Sequence, residues 1–234
     1  MRERNILAIT LLILSLVVVG VLVATFVRPL PQVATERAQL VDQLLRVLFG
    51  LAAAVFFGVE GLLFFAAVRG RLFRTPVALA NPGGSLELLW ITIPAVIVVV
   101  LSVYSIRVLV AMEAPASDPL RVEVTASQFE WDFYYPASGV TAYELHLPVG
   151  RPVVLEFTSL DVIHSFWVPA FGGKVDALPD RVTSLTVTAL QPGSFEAVCA
   201  ELCGTGHTNM IASVHVEEAA SFEDWLQTGG GEGR

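Results

Sequence analysis

Residues 199–210 read Cys199-Ala200-Glu201-Leu202-Cys203-Gly204-Thr205-Gly206-His207-Thr208-Asn209-Met210, and they lie between two alternating runs, 194–199 and 211–216. Two thiols, an imidazole and a thioether therefore fall within one loop whose ends are tied to strands. A loop anchored in this way is a rigid place to hold an ion, and the donors are soft, of the type copper takes. A further histidine, His164 in Asp161-Val162-Ile163-His164-Ser165-Phe166-Trp167, follows another alternating run and is placed to reach the same loop.

Working outward, period-two alternation with β-branched residues predicts strands over 121–127, 142–147, 153–158, 182–189, 194–199 and 211–216. Turn signals separate them at Pro136-Ala137-Ser138-Gly139, Pro148-Val149-Gly150, Phe171-Gly172-Gly173 and Gln191-Pro192-Gly193. Short strands with frequent turns predict an antiparallel sandwich or barrel rather than βαβ units. Residues 222–227 predict a short closing helix, and 229–233 read as a frayed tail.

The donor set admits more than one reading. One cysteine, two histidines and an axial methionine would make a mononuclear blue-copper site. Here there is one thiolate more, which is explained if both sulfurs bridge two copper ions, each completed by one histidine and one weak axial ligand: Met210 for one, a backbone carbonyl for the other. A disulfide fits an even cysteine count in an exported domain but leaves His207 and Met210 without a purpose. A closed Cys₂His₂ zinc site would leave Met210 as a core residue.

Upstream, the 234 residues are 54% hydrophobic, with a mean hydropathy of +0.67, which points to a membrane protein. Three stretches are long enough to cross hydrocarbon: 6–27, 47–68 with Glu60 inside it, and 88–106. Arg2 and Arg4 before the first, and Arg69, Arg71 and Arg74 after the second, put those flanks in the cytoplasm, so the domain after Met112 lies outside. The first stretch also resembles a secretory signal peptide, but no clear small-x-small cleavage site follows it. The expected organisation is residues 1–28 as an amino-terminal transmembrane helix or signal peptide, 43–112 as a helix hairpin, 113–228 as the exported domain and 229–234 as a flexible tail. Residues 113–234 carry 17 acidic against 5 basic side chains, whereas residues 1–112 carry 5 against 9. A domain so acidic repels nucleic acid and attracts basic partners.

The run Cys-x₃-Cys-x₃-His-x₂-Met, with His164 ahead of it, resembles the dinuclear copper site of cytochrome c oxidase subunit II. The likeness extends over residues 45–227: Leu86-Glu87-Leu88-Leu89-Trp90-Ile91-Thr92-Ile93-Pro94 resembles the family's second membrane helix, and Lys174-Val175-Asp176-Ala177-Leu178-Pro179-Asp180-Arg181 its loop beneath the copper. The resemblance implies a membrane-anchored all-β protein, two or three transmembrane helices followed by a cupredoxin-like Greek-key β-barrel. It implies copper ligation by His164, Cys199, Cys203, His207, Met210 and the backbone carbonyl of Glu201. It also implies magnesium shared with subunit I through the Glu201 carboxylate.

In this family an electron arrives from soluble cytochrome c or a similar basic donor and leaves to haem in subunit I, where oxygen is reduced and protons are pumped; subunit III is a further expected partner. Such a protein is the electron-receiving subunit of an oxidoreductase complex in a bacterial-type cell membrane, surrounded by lipid, with its copper domain on the outer face. Phe129 stands where the family usually has its electron-receiving tryptophan, and the next one is kept as Trp131. Glu87 falls at the mouth of a family proton path. Glu60, inside an apolar span, reads as packed against another subunit; His146 and His215 read as structural. Two other classes share parts of this pattern. A quinol oxidase subunit II lacks the copper ligands, and a free-standing copper carrier lacks the helix at 86–94.

Overall fold

A computed structural model describes residues 2–73 and 84–229; Arg74 and residues 230–234, which include most of the expected tail, lie outside them. The chain divides into two compact units, Met1–Pro29 with Gln43–Leu109, and Leu30–Asp42 with Val110–Arg234.

The first unit is helical, drawn from α1 (Arg2–Phe26), α2 (Glu36–Phe73) and α3 (Gly84–Met112). Glu36–Ala67 and Glu87–Met112 are long and apolar enough to cross a membrane, and Thr10–Phe26 is a shorter apolar helix among the described residues. Their large side chains point outward, as at Leu62, Phe64, Val98 and Val99, an arrangement that hydrocarbon stabilises and water would not. Helices α1 and α2 meet at glycine: a methyl group added to Gly50 would come within 2.7 Å of the Gly20 carbonyl oxygen and 2.9 Å of Ala24 Cβ. Small residues at such a crossing let two backbones approach, which is how apolar helices gain contact in lipid. Glu60 is exposed on α2.

The second unit is a two-sheet β-sandwich. Its strands are β1 (Leu120–Ser127), β2 (Glu130–Tyr135), β3 (Val140–Ala142), β4 (Leu145–Pro148), β5 (Pro152–Ser159), β6 (His164–Val168), β7 (Gly173–Ala177), β8 (Thr183–Thr188), β9 (Gly193–Cys199) and β10 (Ile211–Glu217), closed by α4 (Ala219–Gln227). One sheet runs β3-β2-β1-β5-β8 and the other β4-β10-β9-β6-β7. The core lies between them, because alternate residues of each strand face inward: Val122, Val124 and Ala126 from β1, Phe133 and Tyr135 from β2, Leu155 and Phe157 from β5, Phe166 from β6, and Val214 and Val216 from β10.

Several elements differ from the expectation. The pairs β1·β5 and β4·β10 are parallel, because connections cross between the sheets instead of folding back as hairpins. The expected strand 142–147 is two strands in different sheets, with Tyr143 and Glu144 forming the crossing. The aromatic run at 130–135 is a strand, with Trp131, Phe133 and Tyr135 inside and Glu130 and Tyr134 outside. The expected loop at 174–181 begins as β7, paired along β6.

Residues 30–42, between the expected domains, belong to the sandwich. Ala34 exchanges backbone bonds with Ala170 and Leu190 at 2.9 Å each. Thr35 Oγ1 accepts the Ala38 amide at 3.1 Å, capping the start of α2, and donates to the Phe171 carbonyl at 3.0 Å. Gly172, at φ +78°, leaves no room for a Cβ against Ala38, so both the left-handed turn and the close approach require glycine there.

Candidate metal centre

The five side-chain donors of the predicted set, and the Glu201 carbonyl, meet at one end of the second sheet. Cys199 closes β9, Met210 sits immediately before β10, and His164 opens β6, the neighbour of β9. Strand pairing brings His164 in: Phe166 lies opposite Cys199, so the start of β6 lies beside the loop that leaves β9. The two cysteines are free, with sulfurs 3.9 Å apart. His164 Nδ1 lies 3.9 Å from Cys199 Sγ and 3.1 Å from Met210 Sδ. Cys203 Sγ lies 3.7 Å from His207 Nδ1 and 3.9 Å from Met210 Sδ. The Glu201 carbonyl oxygen is 3.3 Å from Cys199 Sγ, while the Glu201 side chain is exposed.

This arrangement fits a soft metal. Thiolate sulfur binds a first-row ion at about 2.3 Å, so two sulfurs 3.9 Å apart can both reach the same ion. His164, Cys199, Cys203 and Met210 are all buried, which excludes water and raises the cost of leaving polar donors without a cation. Burial, followed by hydrogen bonding to Cys199 and that neighbour's charge, pushes the Cys203 thiol up to about 11. Metal binding must therefore displace a proton from it near neutrality.

Asp161, quoted in the His164 motif but given no role from sequence, holds that ring in place. Its Oδ1 is 2.8 Å from His164 Nε2, which leaves Nδ1 for the metal side; a carboxylate behind a ligating imidazole fixes its tautomer and orientation. Burial raises the Asp161 pKa, but hydrogen bonds from His164 and the Val162 and Gln128 amides outweigh it and hold the carboxyl at about 2.

Behind the loop sit the two rings singled out from sequence. Phe129 is half-buried against the glycines: a Cβ on Gly206 would lie 2.5 Å from its ring, and one on Gly204, at φ +140°, 3.1 Å from it. Gln128 Nε2 donates to the Cys203 carbonyl. Trp131 is buried inside the sandwich, edge-on to His164 at 6.0 Å and to Phe166 at 5.2 Å. Glu87 is exposed in the first turn of α3, in the helical unit.

Two family profiles match this chain: cytochrome c oxidase subunit II, transmembrane domain, over residues 24–108, and the periplasmic domain of the same subunit over residues 140–217. The chain belongs to the cytochrome c oxidase subunit II family. Cytochrome c oxidase subunit 2 of Synechocystis sp. is 30% identical to it, over 84% of this chain and 74% of that protein. The subunit of Thermostichus vulcanus is 33% identical, over 84% and 77%. The periplasmic domain of subunit II of the Bradyrhizobium japonicum oxidase, a crystal structure, is 32% identical over 49% of this chain and 95% of that one, with a TM-score of 0.46. The protein is thus the copper-bearing subunit of an oxidoreductase complex, anchored in the membrane with its sandwich on the periplasmic side.

Proposed function

We propose that His164, Cys199, Cys203, His207, Met210 and the Glu201 carbonyl hold a dinuclear copper centre that takes single electrons from a soluble donor and delivers them to haem in subunit I. The observation that carries this reading is the pair of free, buried sulfurs 3.9 Å apart, with one imidazole nitrogen 3.9 Å from Cys199 and another 3.7 Å from Cys203. The 3.1 Å approach of Met210 Sδ to His164 Nδ1 supports pairing those two at one ion, with His207 and the Glu201 carbonyl at the other. Copper held by these residues would supply one-electron transfer with little rearrangement of its surroundings. The protein keeps that rearrangement small by holding the donors in a buried loop anchored by β9 and β10 and backed by Phe129.

The same reading assigns the surroundings. The loops carrying His164 and the cysteines expose Leu160, Ile163 and Leu202, apolar contacts for a donor that the acidic domain attracts when the donor is basic, such as cytochrome c. Phe129 is the ring on the donor side and Trp131 the inner one. The exposed Glu201 carboxylate would share magnesium with subunit I, and Glu87 would stand at a proton path in that subunit, which moves protons across the membrane. Subunit III completes the set of expected partners. We also assign α1 as a retained span, supported by the Gly20–Gly50 crossing. Residues 43–112 form the helix hairpin, 113–228 the copper domain and 229–234 the tail.

Metal content of the purified full-length chain tests the centre. Two copper ions per chain are expected, and Cys199→Ser or Cys203→Ser should remove copper or convert the spectrum. A ratio of one, or zinc in place of copper, would overturn the bridged pair.

A further inference from the structure

A second group of ligand-type side chains lies on the outer face of the same sheet: His146 of β4, His215 of β10 and Glu144 at the crossing before β4. The two histidines are directly opposed in the parallel β4·β10 pair, with ring centroids 4.9 Å apart. Each presents Nε2 to one carboxylate oxygen. Glu144 Oε2 lies 3.3 Å from His215 Nε2 and 3.9 Å from His146 Nε2.

The other nitrogen of each ring is held from behind. His146 Nδ1 lies 3.3 Å from Glu217 Oε2, and His215 Nδ1 lies 3.3 Å from Ser194 Oγ. This outer-partner pattern orients imidazoles that bind metal. His146 is fixed more firmly still. Its backbone amide donates to Tyr135 Oη at 2.8 Å, Tyr135 Oη donates to its carbonyl at 2.9 Å, and Trp225 stacks on its ring at 4.0 Å.

The three ligand atoms lie within 4.8 Å of one another. At 3.9 Å the Glu144 oxygen is too far from His146 Nε2 for a hydrogen bond, so the two Nε2 atoms and the carboxylate leave room for a divalent cation between them. Four-coordinate zinc, with ligands at about 2.0–2.1 Å, sets neighbouring donors about 3.3 Å apart. The Glu144–His215 separation of 3.3 Å matches this, and the Glu144–His146 separation of 3.9 Å would close by a side-chain adjustment of the exposed Glu144.

We propose that His146 Nε2, His215 Nε2 and the Glu144 carboxylate form a second metal site, distinct from the thiolate centre, for a borderline divalent transition cation of the zinc class. All three protein donors are nitrogen or oxygen, which suits zinc; water would complete the coordination. The ion would clip the crossing between the two sheets to β10.

The test titrates zinc into the full-length, copper-loaded chain in detergent and measures zinc retained through gel filtration, with cobalt(II) as a coloured substitute. One zinc per chain beyond the copper is expected, and cobalt should show ligand-field bands without thiolate charge transfer. Glu217→Gln, which touches only the outer partner, should weaken zinc binding about 10- to 100-fold with copper content unchanged. His146→Gln combined with His215→Asn should abolish it. Should that double variant fail to fold, Glu144→Gln, at an exposed position, should still lower zinc affinity at least about tenfold. Wild-type protein that retains no zinc beyond its copper sites would overturn the proposal. So would a folded double variant, or Glu144→Gln, that binds zinc as the wild type does.

Discussion

Two histidine-bearing clusters share the β4-β10-β9-β6-β7 sheet and differ in almost every physical respect. The cluster of His164, Cys199, Cys203 and Met210 faces inward or sits in an anchored loop, is buried, and is built from soft donors. The cluster of His146, His215 and Glu144 lies on the outer face, with Glu144 more than half exposed, and is built from nitrogen and oxygen. Alternation along β10 is enough to separate them: Val214 and Val216 point inward while His215 between them points outward. The inner donors and the packed His146 are tied to the integrity of the sandwich, whereas the exposed Glu144 can be altered with little effect on it. The predictions below probe that contrast.

The largest effect is expected at Trp131, whose ring fills the core beside His164 and Phe166. Trp131→Ala should cost about 3–5 kcal/mol of stability and lower copper retention as well, read from denaturant melts and metal content. Gly206→Ala puts a methyl into the Phe129 ring; overpacking of about 1–3 kcal/mol should displace the metal loop and lower copper content while leaving zinc binding at the outer cluster intact. Tyr135→Phe leaves the His146 amide and carbonyl without their buried partner and should cost about 1–3 kcal/mol, weakening the outer cluster more than the inner one.

Asp161 gives a pH test. Its carboxyl is held at about 2 in the folded protein, below the ordinary value of about 3.9. Its contribution is therefore fully present above about pH 4 and is lost as pH falls toward about 2. Metal-free wild type should lose denaturant resistance across that window, and Asp161→Asn should show a shallower loss. The smallest effect belongs to Glu144→Gln, which in the absence of metal should change stability by no more than about 0.5 kcal/mol. A large loss there would erase the distinction between the two clusters.

Much of the inner site was legible because its donors are close in sequence. Cys199, Cys203, His207 and Met210 fall in one loop, so their spacing alone restricts the chemistry. His164 was legible only as a histidine after a strand-like run; that it sits beside Cys199 follows from the β6·β9 pairing. Asp161 carried no separate signal, since a carboxylate three residues before a histidine is common on any surface. The strand at 130–135 was legible in principle, because Trp131, Phe133 and Tyr135 alternate with Glu130 and Tyr134. His146 and His215 read as structural, because nothing in one dimension shows that residues far apart in sequence stand opposite each other in a parallel pair.

The sequence by itself determined the apolar spans, the acidic exported domain, the alternating strands and the soft donor loop, because each depends on residues that are local neighbours. Tertiary structure alone decided which sheet each strand joined, that residues 30–42 clasp the sandwich, and that His164 meets the loop while His146, His215 and Glu144 gather on the opposite face. The physical reason is register: once alternation chooses the side each residue faces, only the long-range pairing of backbone hydrogen bonds sets which residues face one another.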